Sequence, residues 1–142
     1  MSQALDRSIV GQEFDHTAFP PITAVQIRRY AAAYGDDDPR WTSAADDTLV
    51  APPTFAVSLR GRHFMPKQLP TNFGRNGFDA GKDIEMGAPI RVGDVLTASS
   101  TVHDVYEKTG RSGTMTFIVF RTSVTNQRGE SVAVMDHKMM FR

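Results

Sequence analysis

Three consecutive carboxylates, Asp36, Asp37 and Asp38, stand between Gly35 and Pro39. Carboxylates this close can act as a general base, or as a dyad in which crowded like charges raise one pKa. The same pattern also fits a solvated turn after a helix. Asp-x-Asp opens calcium loops, but the loop glycine and the distal Glu are absent. His16, His63, His103 and His137 are scattered and none has a partner at ligand spacing, which argues against zinc. Ser58, Ser99 and Ser112 lack a nucleophile-elbow context, so a Ser-His-Asp hydrolase is not supported. The chain has no cysteine. That excludes disulfides, thiolate metal sites and a Cys nucleophile, and it fits a cytoplasmic location.

These residues need elements to hold them. Thr23-Ala24-Val25-Gln26 is a capping-box pattern, and Ile27, Tyr30, Ala31 and Tyr34 recur at helical spacing. Gly35 is a natural terminator for that helix. Pro39 biases Asp38 away from helical angles, so the carboxylates fall in a turn. Residues 40–50 read as loop. Pro52-Pro53-Thr54 predicts a second helix with Phe55, Val57, Leu59 and Phe64 as its bulk and Pro66 as its end. Residues 66–81 read as loop. Val95–Tyr106, Thr114–Thr125 and Ser131–Phe141 are rich in Val, Thr, Ile, Phe and Met and are separated by turn residues, which predicts antiparallel strands. Val10–Phe14 reads as a short strand or turn, and Ile84–Met86 as a further strand.

The order helix, helix, meander indicates an α+β protein with helices on one face of an antiparallel sheet. The 142 residues suit one domain over 1–142 with a real core. Formal net charge is zero, so neither nucleic acid nor an anionic membrane is expected as partner. No apolar run approaches the roughly 18 residues of a membrane span. The N-terminal residues lack the pattern of a secretory signal.

Four stretches together resemble the MaoC-like dehydratase/hydratase family. They are Ile27–Pro39, Val50-Ala51-Pro52-Pro53-Thr54-Phe55, Pro89–Leu96, and Asp104–Gly113 with Thr125–Gly129. The resemblance is strongest to the N-terminal-type MaoC domain, as in the substrate-binding subunit of (3R)-hydroxyacyl-ACP dehydratases. It implies a single hot-dog domain, a curved antiparallel sheet wrapped around a central helix. It also implies an acyl-CoA or acyl-carrier-protein thioester as ligand, no other cofactor, and a homodimer or a heterodimer with a second MaoC-like subunit.

Active members of the family carry Gly-Asp-x-Asn-Pro-x-His. Gly35, Asp36 and Pro39 match that motif, whereas Asp38 stands for Asn and Trp41 for the catalytic His. The central helix of active members begins His-Gly, where this chain has Pro52-Pro53. Hydration of an enoyl thioester needs a group to take a proton from water, a proton for the α-carbon, and donors for the enolate oxygen. Indole offers a donor and no useful base, and proline offers no backbone N–H. An oxyanion site would therefore fall to Thr54 or disappear. Losing one such donor costs about 10²–10³ in rate.

The resemblance thus makes Asp36 a retained catalytic residue, with Asp38 beside it. It assigns Trp41, Pro53, Thr54, Phe55, Arg60 and Arg62 to substrate binding. Trp41 either fills the place of the imidazole or is plain core. Arg60-Gly61-Arg62-His63 would meet coenzyme A phosphates or an acidic carrier, or is an ordinary cationic helix C-terminus. Met135, Met139 and Met140 read as strand-face packing.

The leading expectation is a substrate-binding subunit that needs a catalytic partner. The alternatives are a non-enzymatic acyl-CoA-binding or scaffold homodimer, and an active hydro-lyase or thioesterase built on Asp36 and Asp38.

Overall fold

A computed structural model of the chain describes residues 5–59, 61–69 and 76–142. Among the described residues the elements run β1 (Glu13–Ala18), α1 (Ala24–Ala33), α2 (Pro39–Thr42), a 3₁₀ helix (Pro53–Ser58), β2 (Gly77–Met86), β3 (Thr97–Gly110), β4 (Gly113–Thr125) and β5 (Ser131–Phe141). The strands form one antiparallel sheet in the order β1-β3-β4-β5-β2.

Alternation decides which side of the sheet is core. On β3, Ala98, Ser100 and Val102 are buried, then a bulge between Val102 and Asp104 shifts the phase so that Val105 is buried instead. The buried side splits into two lobes. One packs Ile27, Ala31, Trp41, Leu49 and Phe55 against Leu96, Val124 and Val132. The other gathers Val102, Val105, Ile118, Phe120 and Phe141, with Phe14 and Met65 covering them.

α1 forms as its sequence predicts. Thr23 Oγ1 accepts from Gln26 N at 3.2 Å, and Gln26 Oε1 accepts from Thr23 N at 2.8 Å, which completes the capping box. At the other end Gly35 takes φ +74°. Gly35 N donates to Ala32 O and Asp36 N to Ala31 O, the paired bonds of a glycine-terminated helix.

The second helix differs from its expectation. It is only the six-residue 3₁₀ helix Pro53–Ser58, held by Phe55 N to Pro52 O and Leu59 N to Ala56 O. Pro52 and Pro53 remove donors at its start, and Ser58 Oγ donates back to Phe55 O at 2.6 Å. Beyond Leu59 the chain leaves helical angles, so Phe64 and Pro66 lie outside any helix. A tertiary contact governs the segment there. The buried Asp15 carboxylate accepts from His63 N at 3.0 Å, and Gly61 sits so close that an added Cβ would lie 1.8 Å from Asp15 Oδ2.

Within residues 40–50, Pro39–Thr42 forms one helical turn capped by Asp38, and Val50 bridges Arg91. β2 begins at Gly77 rather than near Ile84. β1 begins at Glu13, with Val10 and Gly11 in a turn before it.

Candidate functional site

The carboxylate turn is built by the end of α1. Asp36 Oδ1 accepts from Asp38 N at 3.0 Å, which folds the turn back on itself. Asp38 then caps α2, accepting from Arg40 N at 2.9 Å. Its two oxygens also receive the Arg40 guanidinium, with Nη2 at 2.7 Å. The Arg40 side chain and backbone hold the Asp38 carboxyl below the usual carboxylate range. Asp38 is therefore a structural cap engaged by a cation, poorly suited to act as a base.

Asp36 is in different company. Desolvation first, then the Asp36 charge and hydrogen bond, push the Tyr34 hydroxyl above its usual pKa, while Thr54 opposes the shift. Tyr30 Oη lies 3.0 Å from Thr54 O and 2.9 Å from Thr54 Oγ1. The end of α1 and the start of the 3₁₀ helix thus bring Asp36, Tyr34, Thr54 and Tyr30 together. The Tyr30 ring meets Tyr34 and Phe55 edge-on, at centroid distances of 5.3 and 5.4 Å. This cluster offers a carboxylate and hydroxyls but no imidazole.

Trp41 is 6% exposed, within the first core lobe, and its Nε1 has no hydrogen-bond partner among the described residues. The Arg40 guanidinium lies 4.3 Å from its ring centroid. Pro53 and Thr54 are exposed at the start of the 3₁₀ helix, and Phe55 is buried beneath them.

An open groove of about 520 Å³ runs beside this cluster, bordered by Phe19, Arg29, Tyr30, Phe55, Ser58 and Leu59. A second space, of about 250 Å³, lies between residues 61–64 and the sheet. Its walls include Phe14, Val57, Leu59, Phe120 and Met135. Arg62, His63, Lys82 and His137 also border it, as does the Ser100–Thr122 hydroxyl pair at 2.7 Å.

The expected site residues are therefore not all in one place. Asp36, Thr54 and Phe55 belong to the groove side, and Arg62 belongs to the cavity side. Arg60 lies outside the described residues. Arg62 and His63 do not form a helix C-terminus, because the 3₁₀ helix ends at Ser58.

Four residues of this region escaped sequence reasoning: Tyr34 as a neighbour of Asp36, Asp15, Lys82 and His137. Gly61 between two arginines was the available signal for a close approach, which Asp15 makes. Lys82 follows Gly81, whose φ of +112° marks a bulge between Asp79 and Lys82. That bulge sets Lys82 opposite His137 on β5. The His137 side chain is 13% exposed, and its Nε2 lies 3.3 Å from Asp79 Oδ1. The contact misses hydrogen-bonding geometry, leaving Nε2 unpartnered among the described residues. Burial, then Lys82, pushes the imidazole pKa down against the opposing pull of Asp79, so the ring is neutral at neutral pH.

Among the described residues no group of three or more His, Cys, Asp or Glu could hold a metal ion. No helix among them is long and apolar enough to cross a membrane.

Comparison with known proteins places this geometry. The family described as FAS1-like, dehydratase domain region, matches residues 8–135. A UPF0336 protein of Streptomyces coelicolor is 29% identical, over 98% of this chain and 96% of its own length. The HadBC (3R)-hydroxyacyl-ACP dehydratase complex of Mycobacterium tuberculosis is similar with a TM-score of 0.69 and 22% identity, over 99% of both chains. A MaoC-like dehydratase from Rhodospirillum rubrum gives 0.67 and 22%, over 93% of this chain and 91% of that one. The (R)-hydratase of A. caviae gives 0.65 and 20%, over 96% and 97%. The chain has the hot-dog fold, with its central helix reduced to a 3₁₀ helix.

Proposed function

Because the chain belongs to the FAS1-like dehydratase domain region family, we propose that it is the acyl-thioester-binding component of a MaoC-type dehydratase or hydratase. In this reading a second hot-dog subunit with an intact Asp/His pair completes the chemistry. The carrying observation is the environment of Trp41. The position that the motif assigns to the catalytic imidazole is an indole sunk in the core, 6% exposed. Indole N–H donates and cannot take a proton from water.

The surroundings support the same reading. Asp36 keeps a carboxylate beside the Tyr34 hydroxyl, which Thr54 also meets, but Asp38 is engaged by Arg40. Pro52 and Pro53 supply no amide to an enolate oxygen. What remains is a place to bind: a groove with aromatic walls, next to the motif turn. The edge strand β2 is exposed along all ten residues and suits pairing with another subunit.

The test is co-expression. The purified chain alone is expected to turn over crotonyl-CoA and longer enoyl-CoAs far below about 1 s⁻¹, the low end for enzymes. Co-purification with a hot-dog subunit carrying an intact Gly-Asp-x-Asn-Pro-x-His motif should restore hydration. Turnover near 1 s⁻¹ by the chain alone would overturn the reading. It would favour an active hydro-lyase on Asp36, which Asp36→Ala should then abolish.

A further inference from the structure

We propose that the cavity between residues 61–64 and the sheet binds a small, uncharged, mostly apolar molecule with one acceptor oxygen, a ketone or ester carbonyl, and that the Ser100–Thr122 hydroxyl pair recognises that oxygen. The inference is independent of the acyl-thioester reading, which concerns the groove beside Tyr30 and Phe55.

The floor of the cavity is the core side of the sheet. Ser100 on β3 stands opposite Thr122 on β4, and Thr122 stands opposite Met135 on β5. All three line the cavity, with Phe120 two residues along β4 and with Phe14 and Val57. The alternation that buries Ala98 and Val102 on β3 also turns Ser100 inward, and it is only 8% exposed. The two hydroxyls thus lie on a floor whose neighbouring residues are apolar.

Their hydrogen bonds do not balance. Each hydroxyl carries one O–H donor. Ser100 Oγ and Thr122 Oγ1 are 2.7 Å apart and share one hydrogen bond, which uses one donor of the pair. Neither hydroxyl has another hydrogen-bond partner among the described residues. One O–H is therefore uncommitted at the floor, whichever residue holds it. A buried donor left unmet is costly, and an acceptor oxygen on a ligand removes that cost. The carbon skeleton that carries the oxygen then lies on Phe120 and Met135.

The rest of the cavity sets size and charge. Its volume is about 250 Å³. An apolar cavity of about 150 Å³ already admits benzene. No fixed charge is offered inside. His137 Nε2 is buried and lies 3.3 Å from Asp79 Oδ1, while Arg62, His63 and Lys82 are exposed. An anion would lose its water there without gaining a buried partner. The outer wall is a single segment. Residues 61–64 are exposed, lie outside helix and strand, and are tied to β1 by His63 N donating to Asp15 at 3.0 Å.

The experiment titrates the full chain with acetophenone and with ethylbenzene, which differ by a carbonyl in place of a methylene, and follows the backbone amides by NMR. Both probes should shift the amides of Ser100, Thr122 and residues 61–64. The readout is the ratio of their dissociation constants. Ser100→Ala combined with Thr122→Val removes both hydroxyls and should move that ratio about threefold to tenfold against acetophenone. Each single variant leaves one hydroxyl with its O–H free and should keep the wild-type ratio. In the wild type, the acetophenone methyl should give cross-relaxation to the Ser100 and Thr122 side chains, a test that stands even if the double variant folds poorly. An unchanged ratio in the double variant overturns the proposal, and so does a full shift in both single variants. Failure of both probes to bind, or cross-relaxation at other residues only, also overturns it. None of these outcomes touches the acyl-thioester reading, which the co-expression assay decides.

Discussion

Trp41, which the proposed function sets at the place of an imidazole, is a residue of packing. The indole is inside the first core lobe, and Arg40 covers its face while pairing with Asp38. One arginine therefore removes Asp38 from acid–base work and seals the tryptophan. His137 is the converse, a titratable ring in a partly apolar cavity without a hydrogen-bond partner for Nε2 among the described residues. Its folded pKa lies below the unfolded value of about 6.5. The unfolded chain therefore takes up the proton first as pH falls. The contribution of His137 to stability is complete above about pH 6.5 and is lost as the pH drops toward the folded pKa. Urea denaturation at several pH values should show this loss in the wild type. His137→Phe should flatten the profile in that window, and an unchanged slope would contradict the assignment.

At the scale of elements, local chemistry and tertiary contact each decide one end of the motif region. α1 is closed by its own residues, with Thr23 and Gln26 at one end and Gly35 at the other. The segment after the 3₁₀ helix is held by Asp15, 48 residues before His63 in another element, β1. A buried carboxylate needs partners, and it finds them in Thr17 and the backbone of His63. Gly61 leaves it the room. Gly61→Ala should push the carboxylate off its partners and cost about 1–3 kcal/mol, read as a lower urea midpoint at constant slope. The roof of the cavity should loosen with it. Stability equal to wild type would mean that Asp15 moves aside freely.

For the whole molecule, the sheet order leaves β1 and β2 at the edges. β2 carries Phe78, Ile84 and Met86, which are 43%, 37% and 43% exposed. An edge of this length with apolar side chains is usually covered by a partner or blunted by charge. Under the proposed function it pairs with a second hot-dog subunit, and the cavity with Lys82 lies close to that junction. Ile84→Lys should leave the fold intact, because the residue is exposed, and should lower the mass of the complex with that second subunit, seen by light scattering, from a dimer to the separate chains. An unchanged dimer mass would place the interface on another surface.

The amino-acid order by itself determined what depends on neighbours along the chain. The capping box at Thr23, the stop at Gly35, the carboxylate turn at Asp36–Asp38 and strand β5 at Ser131–Phe141 all lie where their residues predict. The motif turn was legible for the same reason, since Gly35, Asp36 and Pro39 act within a few residues of one another. The family match bears out the resemblance drawn from those stretches. Only the tertiary structure decided what depends on residues far apart. Asp15 holding His63, Thr54 reaching Tyr34, and a bulge setting Lys82 opposite His137 are long-range contacts. No local spacing encodes them, because each partner satisfies a polar group or fills a space that exists only once the sheet has closed over its core. The shortened helix belongs with them. Proline at a helix start is compatible with helix, yet the chain leaves helical angles at Leu59, before His63 N reaches Asp15 on β1.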